Sequence, residues 1–288
     1  MGLMGQLTPE QEERERELAW SDAELRGYQP IHPQSRWREV AKKIWAPIAA
    51  VGFLLFKFKA IAFAIFKFKI FVTSASMLVS VAAYAWIWGW RFAAGFVLLL
   101  LVHELGHVIE LRHQGIPASA PLFIPFVGAV VGMKQLPDDA WKEARVALAG
   151  PILGSLGAAA VWAAGEALGS QLLIALAFTG FFLNLFNLLP IVPLDGGRAV
   201  GALHPAIWGL GLVALLVLTL LAPNPILLLI LVIGGLELWR RWRARDTEES
   251  RAYYRVKPWQ RAVTGVTYIG LAVLLALAMS ATHVERTF

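Results

Sequence analysis

Long apolar runs separated by short polar or basic segments make up most of the chain from residue 74 onward. A membrane-spanning helix takes roughly 20 apolar residues, and seven of these runs are predicted to cross a bilayer. They are residues 74–90, 92–112, 144–166, 171–189, 206–222, 226–239 and 262–280, and a tight turn at Trp90 and Arg91 is predicted to join the first two. The pattern therefore predicts an all-α polytopic membrane protein with about seven transmembrane helices.

One segment between the second and third predicted spans departs from this pattern. Residues 116–134 contain three prolines and a β-branched run, so they are expected to form a poor helix and not to span. We predict a short re-entrant or β segment here. A membrane tolerates such a segment only where protein or water covers its backbone.

The N-terminal part of the chain divides in two. Residues 1–45 are polar and charge-mixed, and they are predicted to be a cytoplasmic segment with a short surface helix. Residues 46–73 repeat the sequence FKFK at 56–59 and 66–69, and the four lysines point in different directions on a helix. Since a lysine centred in a span costs about 2.5–3.5 kcal/mol on insertion scales, this segment is predicted to lie at the membrane interface. An extra transmembrane helix is the alternative.

Basic residues decide the predicted orientation. The net charge is +6 and 58% of the residues are hydrophobic, and the basic residues cluster beside apolar runs, where they contact anionic lipid headgroups rather than nucleic acid. A cytoplasmic N-terminus places residues 36–69 and 240–261 on the same side of the membrane and the C-terminus outside. The expected location is the plasma membrane of a prokaryote.

The same pattern divides the chain from residue 74 onward into three parts. Residues 74–243 form the core, residues 244–261 a basic cytoplasmic loop, and residues 262–288 the last transmembrane helix with a short tail. There are no cysteines, which excludes disulfides and thiolate metal ligands.

The sequence HELGH at residues 103–107 places three ionisable groups inside the second apolar run. On a helix, His103 and His107 lie about 40° apart around the axis and roughly 6 Å apart along it, so both imidazoles can bind one zinc ion. Glu104 lies about 100° round from His103, where a carboxylate can take a proton from a water molecule at the metal. His-Glu-x-x-His on a helix is the motif of zinc metalloproteases. A pair of core histidines without metal is the alternative.

Catalytic zinc usually has three protein ligands, and the sequence offers three candidates for the third. Glu110 is only about 20° off the direction of His103 on the same helix, although one helix rarely wraps three ligands around one ion. His113 is predicted to lie at the water interface. Asp195, at the end of another apolar run, can close a tetrahedral site from a second helix, which favours it.

Three motifs together resemble the site-two protease family of intramembrane zinc proteases. They are HELGH, ALAGP at 147–151, and NLFNLLPIVPLDGG at 184–197. The resemblance covers about residues 74–240. It is to a minimal form of the family, because the sequence shows no PDZ domain and no CBS pair.

The resemblance implies a role for five residues. Zinc would be bound by His103, His107 and Asp195, with Glu104 as the catalytic base. Asn187, in the sequence NLLP, would help bind the substrate backbone or stabilise the oxyanion.

Neighbouring residues are predicted to support this site. Gly150-Pro151 is expected to allow close helix packing, and Gly196 and Gly197 to let the chain turn so that the aspartate faces the ion. Asn184, one turn before the asparagine of NLLP, either supports a ligand or is merely hydrogen-bonded within the bundle.

The preferred functional hypothesis is a zinc endopeptidase that cuts transmembrane segments of other membrane proteins, with its active site toward the cytoplasm. Residues 126–134 could form an edge strand to which an unwound substrate adds, with Gly128 and Gly132 allowing close backbone approach; a plug that only packs is the alternative. The expected partners are transmembrane substrates and membrane lipid. The competing hypothesis is a non-proteolytic membrane protein, either a binder of client helices or an ion transporter, that uses the same metal site.

Overall fold

The computed structural model describes residues 8–27, 70–133 and 137–283, with single positions at 43, 53, 57, 67, 68 and 135. They belong to two compact units, residues 1–64 and 65–288. In the first unit, helix α1 (Pro9–Gly27) lies where the sequence predicts a short surface helix, and its described side chains are exposed. The interfacial prediction for residues 46–73 falls mostly outside the described residues.

The second unit is mostly helical. Its described helices are α2 (Ile70–Trp88), α3 (Trp90–His113), α4 (Ala140–Leu168), α5 (Gln171–Asn187), α6 (Asp195–Val200), α7 (Ile207–Leu221), α8 (Pro225–Ala244), α9 (Glu248–Tyr253) and α10 (Pro258–Ala281). Each of the seven predicted apolar runs coincides largely with one of these helices, because a long apolar segment satisfies its backbone polar groups only within a helix.

Local signals set the helix boundaries. The turn between α2 and α3 lies at Gly89, whose φ of 79° requires a residue without a side chain, so Trp90 and Arg91 begin α3 instead of forming the predicted turn. The side chain of Asp139 caps α4 by accepting a hydrogen bond from a backbone amide of the first turn at 2.8 Å. Gly169 ends the same helix in the left-handed conformation.

Four helices among the described residues, α2, α3, α4 and α10, are long and apolar enough to cross a membrane. Helices α5 and α7 are apolar but shorter, with 17 and 15 residues, and α8 ends in a basic stretch with Arg240, Arg241 and Arg243. The prediction of a helical integral membrane protein is thus supported. The predicted number of crossings, seven, exceeds the four that length and hydropathy support.

Helix α4 packs against α3 and α5 at close range. A Cβ atom added to Gly106 of α3 would lie 2.2 Å from the carbonyl oxygen of Ala149 in α4. One added to Gly180 of α5 would lie 2.9 Å from the Cβ atom of Ala158. These glycines let three helix backbones approach closely, and the candidate site lies where the helices meet.

The segment after α3 contains an antiparallel hairpin, in agreement with the predicted β segment. Strand β1 (Leu122–Ile124) pairs with β2 (Gly128–Val130), and Phe126 in the turn has a φ of 64°. Three side chains of α2 hold the hairpin: the Tyr84 hydroxyl accepts a hydrogen bond from the Phe126 amide at 3.0 Å, the Ser76 hydroxyl accepts one from the Phe123 amide at 3.2 Å, and the Thr73 hydroxyl donates at 2.8 Å to the carbonyl just before β1.

Candidate metal centre

Helix α3 presents both histidines of HELGH on its buried face. His103 is 2% exposed and His107 is 7% exposed, and their Nε2 atoms lie 3.2 Å apart. Residues four apart on a helix share a face, so the local geometry of α3 alone brings the two nitrogens together.

Asp195 is the first residue of α6, and its side chain reaches the two histidine nitrogens. Its Oδ2 atom lies 3.1 Å from Nε2 of His103 and 3.2 Å from Nε2 of His107. The structure therefore brings together the three predicted ligands, which come from two helices, with Asp195 92 positions after His103 in the chain.

Two glycines allow α6 to approach the end of α5. A Cβ atom on Gly196 would lie 2.1 Å from the carbonyl oxygen of Leu188, and one on Gly197 would lie 2.2 Å from the carbonyl carbon of Ile191. Real Cβ atoms do not come so close to backbone. The chain can therefore fold back to place Asp195 over the histidines only if both positions lack a side chain.

The three donor atoms fit a zinc ion. Zinc bonds of 2.0–2.1 Å in a tetrahedral arrangement put neighbouring ligand atoms about 3.3 Å apart. The three separations here are 3.1, 3.2 and 3.2 Å. Two imidazole nitrogens and a carboxylate oxygen also form a donor set that zinc accepts, with a fourth position left open.

The other ring nitrogens are held so that Nε2 faces the ion position. Nδ1 of His107 lies 2.8 Å from the carbonyl oxygen of Val146, which can only accept a hydrogen bond. Nδ1 of His103 lies 2.8 Å from Oδ1 of Asn184, whose Nδ2 donates to the Gly180 carbonyl at 2.7 Å. Both Nδ1 atoms must therefore carry the proton, which leaves each Nε2 lone pair free for a metal.

Glu104 lies beside this group. It is 7% exposed, and its carboxylate makes no hydrogen bond or ion pair with any residue that the structure describes. Its electrostatic neighbours include Asp195 and Arg198. The position of Arg198 near Glu104 could not be predicted from the sequence, because no local pattern shows that α6 returns to α3. Burial of a carboxylate without a direct partner is unfavourable, which is typical of a group kept for chemistry.

The remaining candidates lie outside the cluster. Glu110 pairs with Arg145 at 2.7 Å and also accepts a hydrogen bond from a glutamine side chain at 2.9 Å, and His113 is exposed. Asn187 ends α5, is half-buried and makes no side-chain hydrogen bond within the described part of the chain. Its catalytic role stays a prediction.

Gly150 borders the site from α4. A Cβ atom at this position would lie 2.2 Å from Nε2 of His107. The ALAGP motif thus does more than pack two helices, since its glycine leaves the space that the His107 imidazole occupies.

Fold and site together define a class: an integral membrane protein in which two histidines of one helix and an aspartate of another form a buried group able to bind zinc. Residues 91–172 match the sequence profile of peptidase family M50. The matched stretch contains HELGH and ALAGP and ends before Asp195. The predicted resemblance to the site-two protease family is confirmed by this match and by the relatives described next.

Curated relatives carry matching names. Rip3 of Mycobacterium tuberculosis, provisionally named a zinc metalloprotease, is 35% identical over 131 residues, which are 42% of this chain and 33% of Rip3. The zinc metalloprotease MJ0392 of Methanocaldococcus jannaschii is 31% identical over 121 residues, 40% of this chain and 34% of MJ0392. The chain spans about a third of the length of the curated relatives it matches. Both relatives are thus named as zinc metalloproteases.

Proposed function

We propose that this protein is an intramembrane zinc endopeptidase that hydrolyses peptide bonds within or near transmembrane segments of other proteins. The observation that carries the proposal is the buried group formed by His103, His107 and Asp195, with a free carboxylate beside it on α3. The names of the relatives favour proteolysis over the alternative of a non-proteolytic helix binder or ion transporter.

Each residue of the group has a defined task in this reaction. Bound zinc would lower the pKa of a water molecule to about 7 and polarise the scissile carbonyl. His103, His107 and Asp195 would hold the ion, with both imidazole rings kept in place by hydrogen bonds at Nδ1. Glu104 takes the proton from the attacking water and passes it to the leaving amine. Asn187 is proposed to donate a hydrogen bond to the substrate backbone or to the developing oxyanion.

The hairpin supports the proposal that the substrate binds in an extended conformation. Strand β2 pairs with β1 along one edge, and no other strand of the described residues pairs along its second edge. Val127, just before β2, and Val130, its last residue, are 66% and 50% exposed. A substrate helix that unwinds could add to this edge as a third strand, which would satisfy its backbone hydrogen bonds.

The proposed topology has seven crossings. Helices α5, α7 and α8 are assigned as crossings in addition to α2, α3, α4 and α10. Positive charge at residues 240–261 is the basis for placing the end of α8 and the loop before α10 in the cytoplasm. The site then lies toward the cytoplasmic side of the plasma membrane of a prokaryote.

The test uses purified full-length protein in detergent and a fluorescent peptide that contains a transmembrane segment. Wild-type protein should hold about one zinc ion per chain and cleave the peptide. Glu104→Gln should keep its zinc and lose cleavage by at least about 100-fold, because a general base contributes about that much. Glu110→Gln is the matched control on the same helix and should keep both properties. Full activity of Glu104→Gln would contradict the mechanism, and wild-type protein without zinc affinity would contradict the metal centre.

A further inference from the structure

A second polar cluster, built around a buried carboxylate, includes a residue one helical turn after Asp195 on α6. Glu143, in the first turn of α4, is 6% exposed. One of its carboxylate oxygens accepts a hydrogen bond from Nε of Arg198 at 3.2 Å, and the other accepts one from the Tyr253 hydroxyl at 2.7 Å. The cluster therefore ties together α4, α6 and α9.

Arg198 connects this cluster to the metal centre. It lies three residues after Asp195 on α6, a helix of only six residues without a side-chain cap. So short a helix is not stable through its own hydrogen bonds. Contacts with neighbouring elements must therefore fix its position and, with it, the direction of the Asp195 carboxylate.

A second set of contacts fixes α6 from another direction. The indole nitrogen of Trp208, on α7, donates to the carbonyl of Gly197 at 2.6 Å. The guanidinium of Arg241 lies 4.7 Å from the centroid of a Trp208 ring and donates to the Tyr254 hydroxyl at 2.8 Å. Tyr254 follows Tyr253 in sequence, so the end of α9 contributes to both sets of contacts.

The Tyr253 hydroxyl remains a donor throughout the neutral range. Burial and the neighbouring Glu143 carboxylate raise the pKa of Tyr253 well above its usual value of 10. The phenol therefore stays protonated at physiological pH, and the hydrogen bond to Glu143 is maintained.

We infer that Glu143, Arg198 and Tyr253 form a clamp that positions Asp195 for metal binding. The inference rests on the proposed function, since it assigns a purpose to residues around the same site. These are positioning residues: they contact α6 and its surroundings, not the ion or the substrate. Loss of one of them loosens α6 and weakens zinc binding while the ligands themselves remain.

The test measures zinc affinity by chelator competition and thermal unfolding without zinc. Tyr253→Phe should raise the zinc Kd about tenfold, and Glu143→Gln about 10- to 100-fold, the range typical of residues that support metal ligands. The matched control is Tyr84→Phe, which also removes one hydrogen bond of a tyrosine hydroxyl but lies in α2. It should lower thermal stability to a similar extent and leave the zinc Kd unchanged.

The outcomes separate the clamp from the proposed function. If wild-type protein binds zinc and both Tyr253→Phe and Glu143→Gln bind it with wild-type affinity, the clamp is refuted and the metal centre stands. If Tyr84→Phe weakens zinc binding as much as Tyr253→Phe does, the effect is general destabilisation and the clamp is also refuted. If Glu143→Gln does not fold, Tyr253→Phe alone decides. Wild-type protein that binds no zinc contradicts the proposed function itself.

Discussion

Gly150 offers a sharp test of how the helices shape the metal centre. In Gly150→Ala, the new methyl carbon would lie 2.2 Å from Nε2 of His107 and 2.4 Å from its Cε1. Ordinary contact begins at 3.4 Å, so the difference between 3.4 and 2.2 requires the imidazole or α4 to shift by about 1.2 Å. The ring is also held by the carbonyl of Val146 at 2.8 Å, so moving it away weakens that hydrogen bond.

The expected loss of zinc affinity follows from this displacement. Metal–ligand distances tolerate deviations of about 0.2 Å, and the required shift is several times larger. One of three ligands is then misplaced, so the zinc Kd should rise at least about 100-fold, which corresponds to about 2.8 kcal/mol. The strain of the extra methyl group should also lower the free energy of unfolding without metal by about 1–3 kcal/mol.

The assay is zinc titration against a chromogenic chelator, with denaturant unfolding of the metal-free protein beside it. Gly270→Ala is the matched control, because Gly270 lies within α10 and nothing approaches its Cβ position within 4 Å. That variant should bind zinc like wild type and be equally or slightly more stable. A Gly150→Ala protein whose zinc Kd stays within about threefold of wild type, a change below 1 kcal/mol, would refute the reasoning.

Two further predictions concern the ligands and their support. Asp195→Ala should abolish high-affinity zinc binding, whereas Glu110→Ala should change the zinc Kd little, because Glu110 forms an ion pair outside the cluster. The measurement is metal analysis of both variants after dialysis, and the opposite ranking would make Glu110 the ligand. Asn184→Ala should raise the zinc Kd about tenfold, because it removes the acceptor of the His103 Nδ1 proton. Asn187→Ala, in contrast, should lower the rate of cleavage and leave zinc affinity unchanged. Equal zinc affinities of Asn184→Ala and wild type would contradict this assignment.

Most of the helical architecture was predictable from the sequence. Apolar runs long enough to cross a membrane have few alternatives to helix, so α3 and α10 lie close to their predicted bounds. Turn positions were harder to predict. Gly89 rather than Trp90 breaks the chain between α2 and α3, and only the backbone geometry shows that its φ is positive. The sequence indicated that the hairpin region is not helical, but the hydrogen bond that anchors the hairpin to Tyr84 depends on tertiary packing.

The candidate site was likewise predictable in its local part and less so where it depends on tertiary packing. The placement of His103, Glu104 and His107 follows from helix periodicity, which is a local property. Asp195 lies 92 residues after His103, and family resemblance strengthened its choice over Glu110. The contact between Trp208 and α6 left no signal in the sequence, because a tryptophan in an apolar helix is equally consistent with contact with lipid.

The shortness of α7 has a consequence for the surrounding bilayer. Fifteen residues of helix are about 22 Å long, whereas the hydrocarbon layer is about 30 Å thick. In the proposed topology, lipid beside α7 must therefore compress or its headgroups must dip toward the protein. Trp208 joins α7 to α6, so this thinning occurs beside Asp195. A depression of the membrane surface there would shorten the path by which water from the cytoplasm reaches a reaction that consumes it.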